Sequence, residues 1–96
     1  MYAVVRRYTA ASPLAEALAK REQEVHDLIS SVPGFVTYYA VRDGDTLATV
    51  TVCQDKAGTD ESTKRAAEWV RQNLADTLPS PPELTQGDIF LNFGRS

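Results

Sequence analysis

Three clusters in this 96-residue chain carry side chains able to do chemistry. The first is Arg6-Arg7-Tyr8. A guanidinium beside a phenol can clamp an anion or an enolate at a pocket mouth, with Tyr8 as the hydroxyl donor. Strand alternation sends one of the two arginines to each face of a sheet. The rival reading is a solvated strand end or an interface salt bridge. The second cluster joins Tyr38-Tyr39 to Thr37, Thr49 and Thr51. A row of hydroxyls beside aromatic rings can orient a phenolic ligand. It can equally be a cross-strand threonine ladder with Tyr39 in a dimer seam. The third is Asp88 and Asn92 near the C-terminus, which can polarise a ligand or cap backbone groups. The catalytic candidates are therefore Arg6, Arg7, Tyr8 and Tyr39. The binding candidates are Thr37, Tyr39, Thr49, Thr51 and Asn92.

The remaining reactive types read as structural. His26 is the only histidine and sits beside Asp27 in a helical pattern. A general base is one role for it, and a partly exposed helical histidine is the other. Cys53 is the only cysteine, so no intrachain disulfide can form and a buried, inert thiol is expected. One His and one Cys do not make the usual zinc ligand set, and neither a metal nor a cofactor is expected. Trp69 reads as an edge-of-core or interface anchor. No Gly-rich phosphate loop, HExxH, CxxC or GxSxG occurs, which removes nucleotide, zinc-hydrolase, thioredoxin and serine-hydrolase readings. The net charge of −3 argues against nucleic acid and against anionic membranes as partners. The N-terminus lacks the pattern of a signal peptide and no apolar run approaches a membrane span, so cytoplasmic residence is the default expectation.

These residues must be positioned by short elements. Tyr2–Thr9 is rich in β-branched and aromatic residues and reads as a strand. Ser12-Pro13 reads as a cap and first turn, and Leu14, Leu18, Val25, Leu28, Ile29 and Val32 recur at helical spacing up to Pro33-Gly34. Arg21 and Glu22 interrupt that stripe. Phe35–Val41 and Leu47–Gln54 are strands around an Asp43-Gly44 turn. Thr59-Asp60-Glu61 opens a second helix, with Thr63, Ala66, Ala67, Val70, Leu74 and Leu78 as its stripe and Pro79-Ser80-Pro81-Pro82 beyond it. Asp88–Phe93 alternates and reads as the last strand. The order β-α-β-β-α-β predicts one α+β domain over residues 1–96. It is a ferredoxin-like split β-α-β arrangement, a four-stranded antiparallel sheet with two helices on one face.

Hairpin register decides which side chains meet. A three-residue loop pairing Val41 with Asp45 places Val36, Tyr38, Ala40, Ala48, Val50 and Val52 under the helices. Phe35, Thr37, Tyr39, Val41, Leu47, Thr49, Thr51 and Cys53 then lie on the open face; a strict two-residue turn mixes these sets. That open face is apolar enough to need a cover, and a second copy related by a two-fold axis is the expected partner.

On Val-Pro-Gly-Phe-Val-Thr-Tyr at 32–38, the hairpin after it and the join before the second helix, the chain resembles the dimeric α/β-barrel superfamily. In particular it is similar to antibiotic-biosynthesis-monooxygenase-like domains. The resemblance implies a homodimer whose two sheets form a barrel, with a pocket between sheet and helices or within the barrel. It also implies that some relatives oxygenate aromatic or polyketide substrates without metal or flavin, and that some degrade haem. The haem-degrading branch needs a histidine in the second half of the domain, where this chain has none. The function expected is thus a cofactor-independent, monooxygenase-like enzyme acting on an apolar aromatic molecule. The alternative is a non-catalytic homodimer that binds a ligand or acts as a scaffold. RNA binding, which uses the same element order, would need aromatics in a basic third strand, and Leu47–Gln54 has none.

Overall fold

A computed structural model describes residues 1–74 and 81–94. Its elements run β1 (Tyr2–Tyr8), α1 (Ser12–Lys20), α2 (Glu22–Ser30), β2 (Phe35–Asp43), β3 (Thr46–Cys53), α3 (Lys56–Asn73) and β4 (Glu83–Asp88). The strands form one antiparallel sheet in the order β2-β3-β1-β4, with β1 and β3 central as expected. The helices cover one face, giving a ferredoxin-like α+β fold. The core there gathers Tyr8, Ala11, Leu14, Ala15, Val25, Ile29, Leu47 and Trp69.

The expected first helix is two helices. Its stripe breaks at Arg21, whose φ of −117° and ψ of 38° leave the helical region. With Arg21 and Glu22 on the apolar track, a straight helix would bury charge, and the break avoids it. The first turn also differs from the expectation. Pro13 stands in it, but Ala11 is the cap residue, and the Ser12 hydroxyl donates instead to Asp45 Oδ1 in the hairpin turn at 2.5 Å.

The hairpin takes the two-residue turn, pairing Asp43 with Thr46, Tyr39 with Val50 and Tyr38 with Thr51. Gly44 has a φ of +59°, the positive value that the first central position of a II′ turn demands. The expected faces of β3 are therefore exchanged. Leu47, Thr49, Thr51 and Cys53 face the helices and are buried, while Ala48, Val50 and Val52 lie on the other side. A bulge at Val36 restores Phe35 to the core side. The physical reason is burial: this register sets Leu47 beside Tyr8 of β1 within the core.

The last strand is also displaced. β4 is Glu83–Asp88, a polar segment paired along β1 from Arg7 to Tyr2. The alternating Asp88–Phe93 run that reads as a strand lies almost wholly beyond it, and the Ile89 amide donates to the Met1 carbonyl there. Phe90 and Phe93 are 88% and 90% exposed. The second helix starts earlier than expected, at Lys56, where the Asp55 carboxylate accepts from the Gly58 amide at 3.1 Å. Thr59 is buried against the sheet rather than capping, and the buried face of α3 runs through Gly58, Thr59, Ser62 and Trp69. The expected helix end at Leu78 and the Pro79-Ser80 link lie outside the described residues.

Candidate functional site

Between α1, α2 and the edge strand β2 lies a cleft of about 640 Å³. Its walls are apolar: Ala15, Leu18, Val25, Ile29, Phe35 and Leu47. Tyr38, Thr37, Arg42, Glu22 and His26 supply the polar groups. The apolar stripes of two helices meet here a strand whose inward residues include one alanine, and the small side chains of Ala15, Ala19 and Ala40 on the lining leave the gap unfilled. A second, smaller cavity of about 30 Å³ lies deeper. It shares Leu18, Val25, Ile29 and Tyr38 with the cleft, and adds Arg6, Tyr8, Thr49 and Trp69.

Arg6 defines this inner cavity. Period-two alternation along β1 turns Val4, Arg6 and Tyr8 toward the helices, and Arg6 is only 1% exposed. Its Nη2 donates to Thr51 Oγ1 at 2.9 Å. Its Nε and Nη1 are buried without a partner among the described residues. Burial lowers the Arg6 pKa, an effect that the neighbouring Tyr8, Tyr38 and Cys53 oppose. The guanidinium nevertheless stays charged, because arginine does not lose its proton in proteins. Burial also raises both phenols above the ordinary value, partly offset by the Arg6 charge. Two neutral phenols and one cation thus share a buried space.

The sequence candidates divide accordingly. Arg6, Tyr8, Thr49 and Thr51 come together on the helix side. Arg7 faces away and pairs with Glu83 at 3.7 Å on the surface. Thr37 lines the cleft from the edge strand. Tyr39 is 61% exposed on the open face, apart from Thr49 and Thr51, so the expected single row of hydroxyls is split between the two faces. Asn92 lies beyond β4, exposed and away from the cleft. His26 lines the cleft at its polar side and contacts the Asp27 carboxylate at 3.3 Å. Trp69 is an anchor, donating from Nε1 to Glu24 Oε2 at 2.5 Å. Sequence reasoning missed Tyr38 and Arg42 as cleft residues. The expected register already set Tyr38 under the helices, whereas Arg42 fell in the expected three-residue loop and joins that face only because the two-residue turn extends β2 to Asp43. Among the described residues no cluster of His, Cys, Asp and Glu is placed to hold a metal ion, and no helix is long and apolar enough to cross a membrane.

No family model matches the sequence, and no curated protein matches it. Solved structures do match its fold. A protein of unknown function from Nitrosomonas europaea has a TM-score of 0.73 at 22% identity, over 99% of this chain and 94% of that one. SnoaB from Streptomyces nogalater, a cofactor-independent oxygenase solved as a mutant, has a TM-score of 0.68 at 14% identity, over 98% and 97%. A dimeric ferredoxin-like protein from an uncultured marine organism has a TM-score of 0.71 at 11% identity, over 99% and 92%. This chain therefore has the ferredoxin-like fold that antibiotic-biosynthesis-monooxygenase-like proteins share.

Proposed function

We propose that this chain is a homodimer that binds an apolar aromatic or polyketide-like molecule in the cleft between its sheet and helices α1–α2, and oxidises it without a cofactor. The cleft carries the reading: about 640 Å³, apolar walls, and a tyrosine, a threonine and an arginine among its lining. That volume falls within the range of small-molecule sites. The fold shared with SnoaB, a cofactor-independent oxygenase, supports the reaction class. In such chemistry the ionised substrate is the electron donor and dioxygen the acceptor, so the protein's task is to bind, orient and exclude water. The open face of the sheet, with Tyr39 and Val41 exposed, supports the dimer, as does the dimeric neighbour of the same fold.

A second reading is a non-catalytic homodimeric binding or scaffold protein. It is favoured by the absence of a convergent acid–base pair in the described cleft, where His26 is tied to its own neighbour Asp27. One experiment separates the two. Purified, chelator-treated protein is incubated with hydroquinones, anthrones and phenols while dissolved oxygen and thermal stability are followed. Stoichiometric oxygen uptake with oxidised product supports the oxygenase. A rise in melting temperature without oxygen uptake supports the binding protein. No response to any of them removes the cleft as a site for aromatic molecules.

A further inference from the structure

Arg6 is a cation buried inside the fold with no counter-ion among the described residues. Its Nε and Nη1 hydrogens have no acceptor among the described residues, and its one bond goes to a neutral hydroxyl. A buried charge left in this state is costly, and proteins normally keep one only when something pairs with it. Glu24, on the far side of Trp69, is occupied by the indole N–H and by Arg21. The other groups around the guanidinium are phenols, hydroxyls and a thiol. The space beside it is about 30 Å³, which suits one oxygen-sized group and is too small for a phosphate or sulfate. The cleft beyond Tyr38 is about twenty times larger and mostly apolar-walled, with room for the body of an aromatic molecule.

Resting on the cleft reading above, we propose that the inner cavity is an oxyanion subsite and that the ligand is an aromatic phenol or enol bound as its anion. The aromatic body lies in the cleft among Leu18, Val25, Ile29 and Phe35. The single charged oxygen passes Tyr38 to the Arg6 guanidinium, where a small shift of the lining uncovers Nε or Nη1 as the donor, with the Tyr8 and Tyr38 hydroxyls as further donors. Selectivity follows: ionisable phenols and enols are held, and their O-methyl ethers lose the charge-assisted bond. Arg6 acts on the ligand's acidity before any reaction.

The probe is 4-nitrophenol, whose absorbance reports its ionisation, compared with 4-nitroanisole, which cannot ionise. With the unaltered protein, the apparent pKa of bound 4-nitrophenol should fall by about one unit or more, a preference of about tenfold for phenolate over phenol. Its affinity should rise through the ligand's own pKa, while that of 4-nitroanisole stays flat with pH. Arg6→Met should abolish the shift and leave 4-nitroanisole binding intact. An apolar chain of similar length in place of a buried cation is expected to fold, checked by circular dichroism and melting. The pH dependence of affinity in the unaltered protein tests the idea even if that variant does not fold. Equal binding of both probes with unmoved ionisation overturns the oxyanion subsite and leaves the cleft standing. A shift that survives in Arg6→Met overturns the role of Arg6. Failure of both probes to bind overturns the subsite and the cleft together.

Discussion

Burial separates Arg6 from Arg7, two residues identical in type and adjacent in sequence. Arg7 reaches solvent and a surface carboxylate, an arrangement worth little to stability. Arg6 is desolvated beside two phenols, and those phenols titrate accordingly. Both Tyr8 and Tyr38 are pushed above their ordinary value of 10.0, chiefly by burial, with the Arg6 charge opposing it. The sign follows from proton linkage. Above pH 10 the unfolded chain loses phenolic protons that the folded chain keeps, so stability is full below that pH and falls as pH rises beyond it. Ultraviolet titration of tyrosinate should show part of the four tyrosines ionising late and together with alkaline unfolding. One step for every tyrosine at the ordinary phenol value, in a chain that remains folded, would contradict this. At this scale the sequence was partly legible: alternation alone splits Arg6 from Arg7. Which of the two is buried follows from pairing with β3 and from the helices above, neither of which is a local property.

Among the elements, α3 sits unusually close to the sheet and to the end of α2. Gly58 makes the approach possible, since a Cβ there would stand 2.7 Å from Cys53 Cβ and 2.9 Å from the Pro33 carbonyl oxygen. Arg65 fastens the next turns by donating to the Leu28 carbonyl at 3.0 Å and to the Ser31 hydroxyl at 2.8 Å, which satisfies the C-terminal end of α2. Gly58→Ala sets two effects against each other. Helix propensity favours alanine by about 1 kcal/mol. Overpacking against a backbone oxygen that cannot move aside costs about 1–3 kcal/mol. A net loss of about 1 kcal/mol or more is expected, read from the denaturant midpoint at constant m-value. An unchanged or higher midpoint would show that α3 can lift from the sheet at little cost. The existence of the helices and of the hairpin was readable from stripes, Pro33-Gly34 and Asp43-Gly44. The last strand was not. β4 is the polar Glu83–Asp88, chosen by its pairing along β1, while the better alternating pattern after it remains unpaired with the sheet for most of its length.

For the whole molecule, the question is what covers the open face. Tyr39 and Val41 are exposed there, and Phe90, Leu91 and Phe93, which follow β4 in the chain, are exposed as well. In the proposed dimer, Tyr39 stands in the seam between two sheets. Tyr39→Asp should then shift the protein toward monomer, because a charge desolvated without a partner opposes association. Light scattering across a dilution series measures this, with circular dichroism to confirm that the fold persists. A variant as dimeric as the unaltered chain at micromolar concentration would take Tyr39 out of the interface. The exposed position of Tyr39 makes the test clean, since the substitution touches no core contact within the chain.

Local chemistry along the chain determined the alternation of helical segments with strands, the antiparallel four-stranded sheet, and the central place of β1 and β3 in a ferredoxin-like arrangement. These follow from periodicity, turn residues and the handedness of crossovers, all properties of short segments. The tertiary structure decided the faces. A shift of the hairpin turn by one residue reverses every side chain of β3, and whether Thr49 and Thr51 meet Arg6 or meet solvent depends on it. That choice rests on burying Leu47 against Tyr8 and on the room the helices leave, a sum over contacts between residues distant in sequence. The cavity beside Arg6 exists for the same reason, as a space bounded by three helices and a sheet that no single segment encodes.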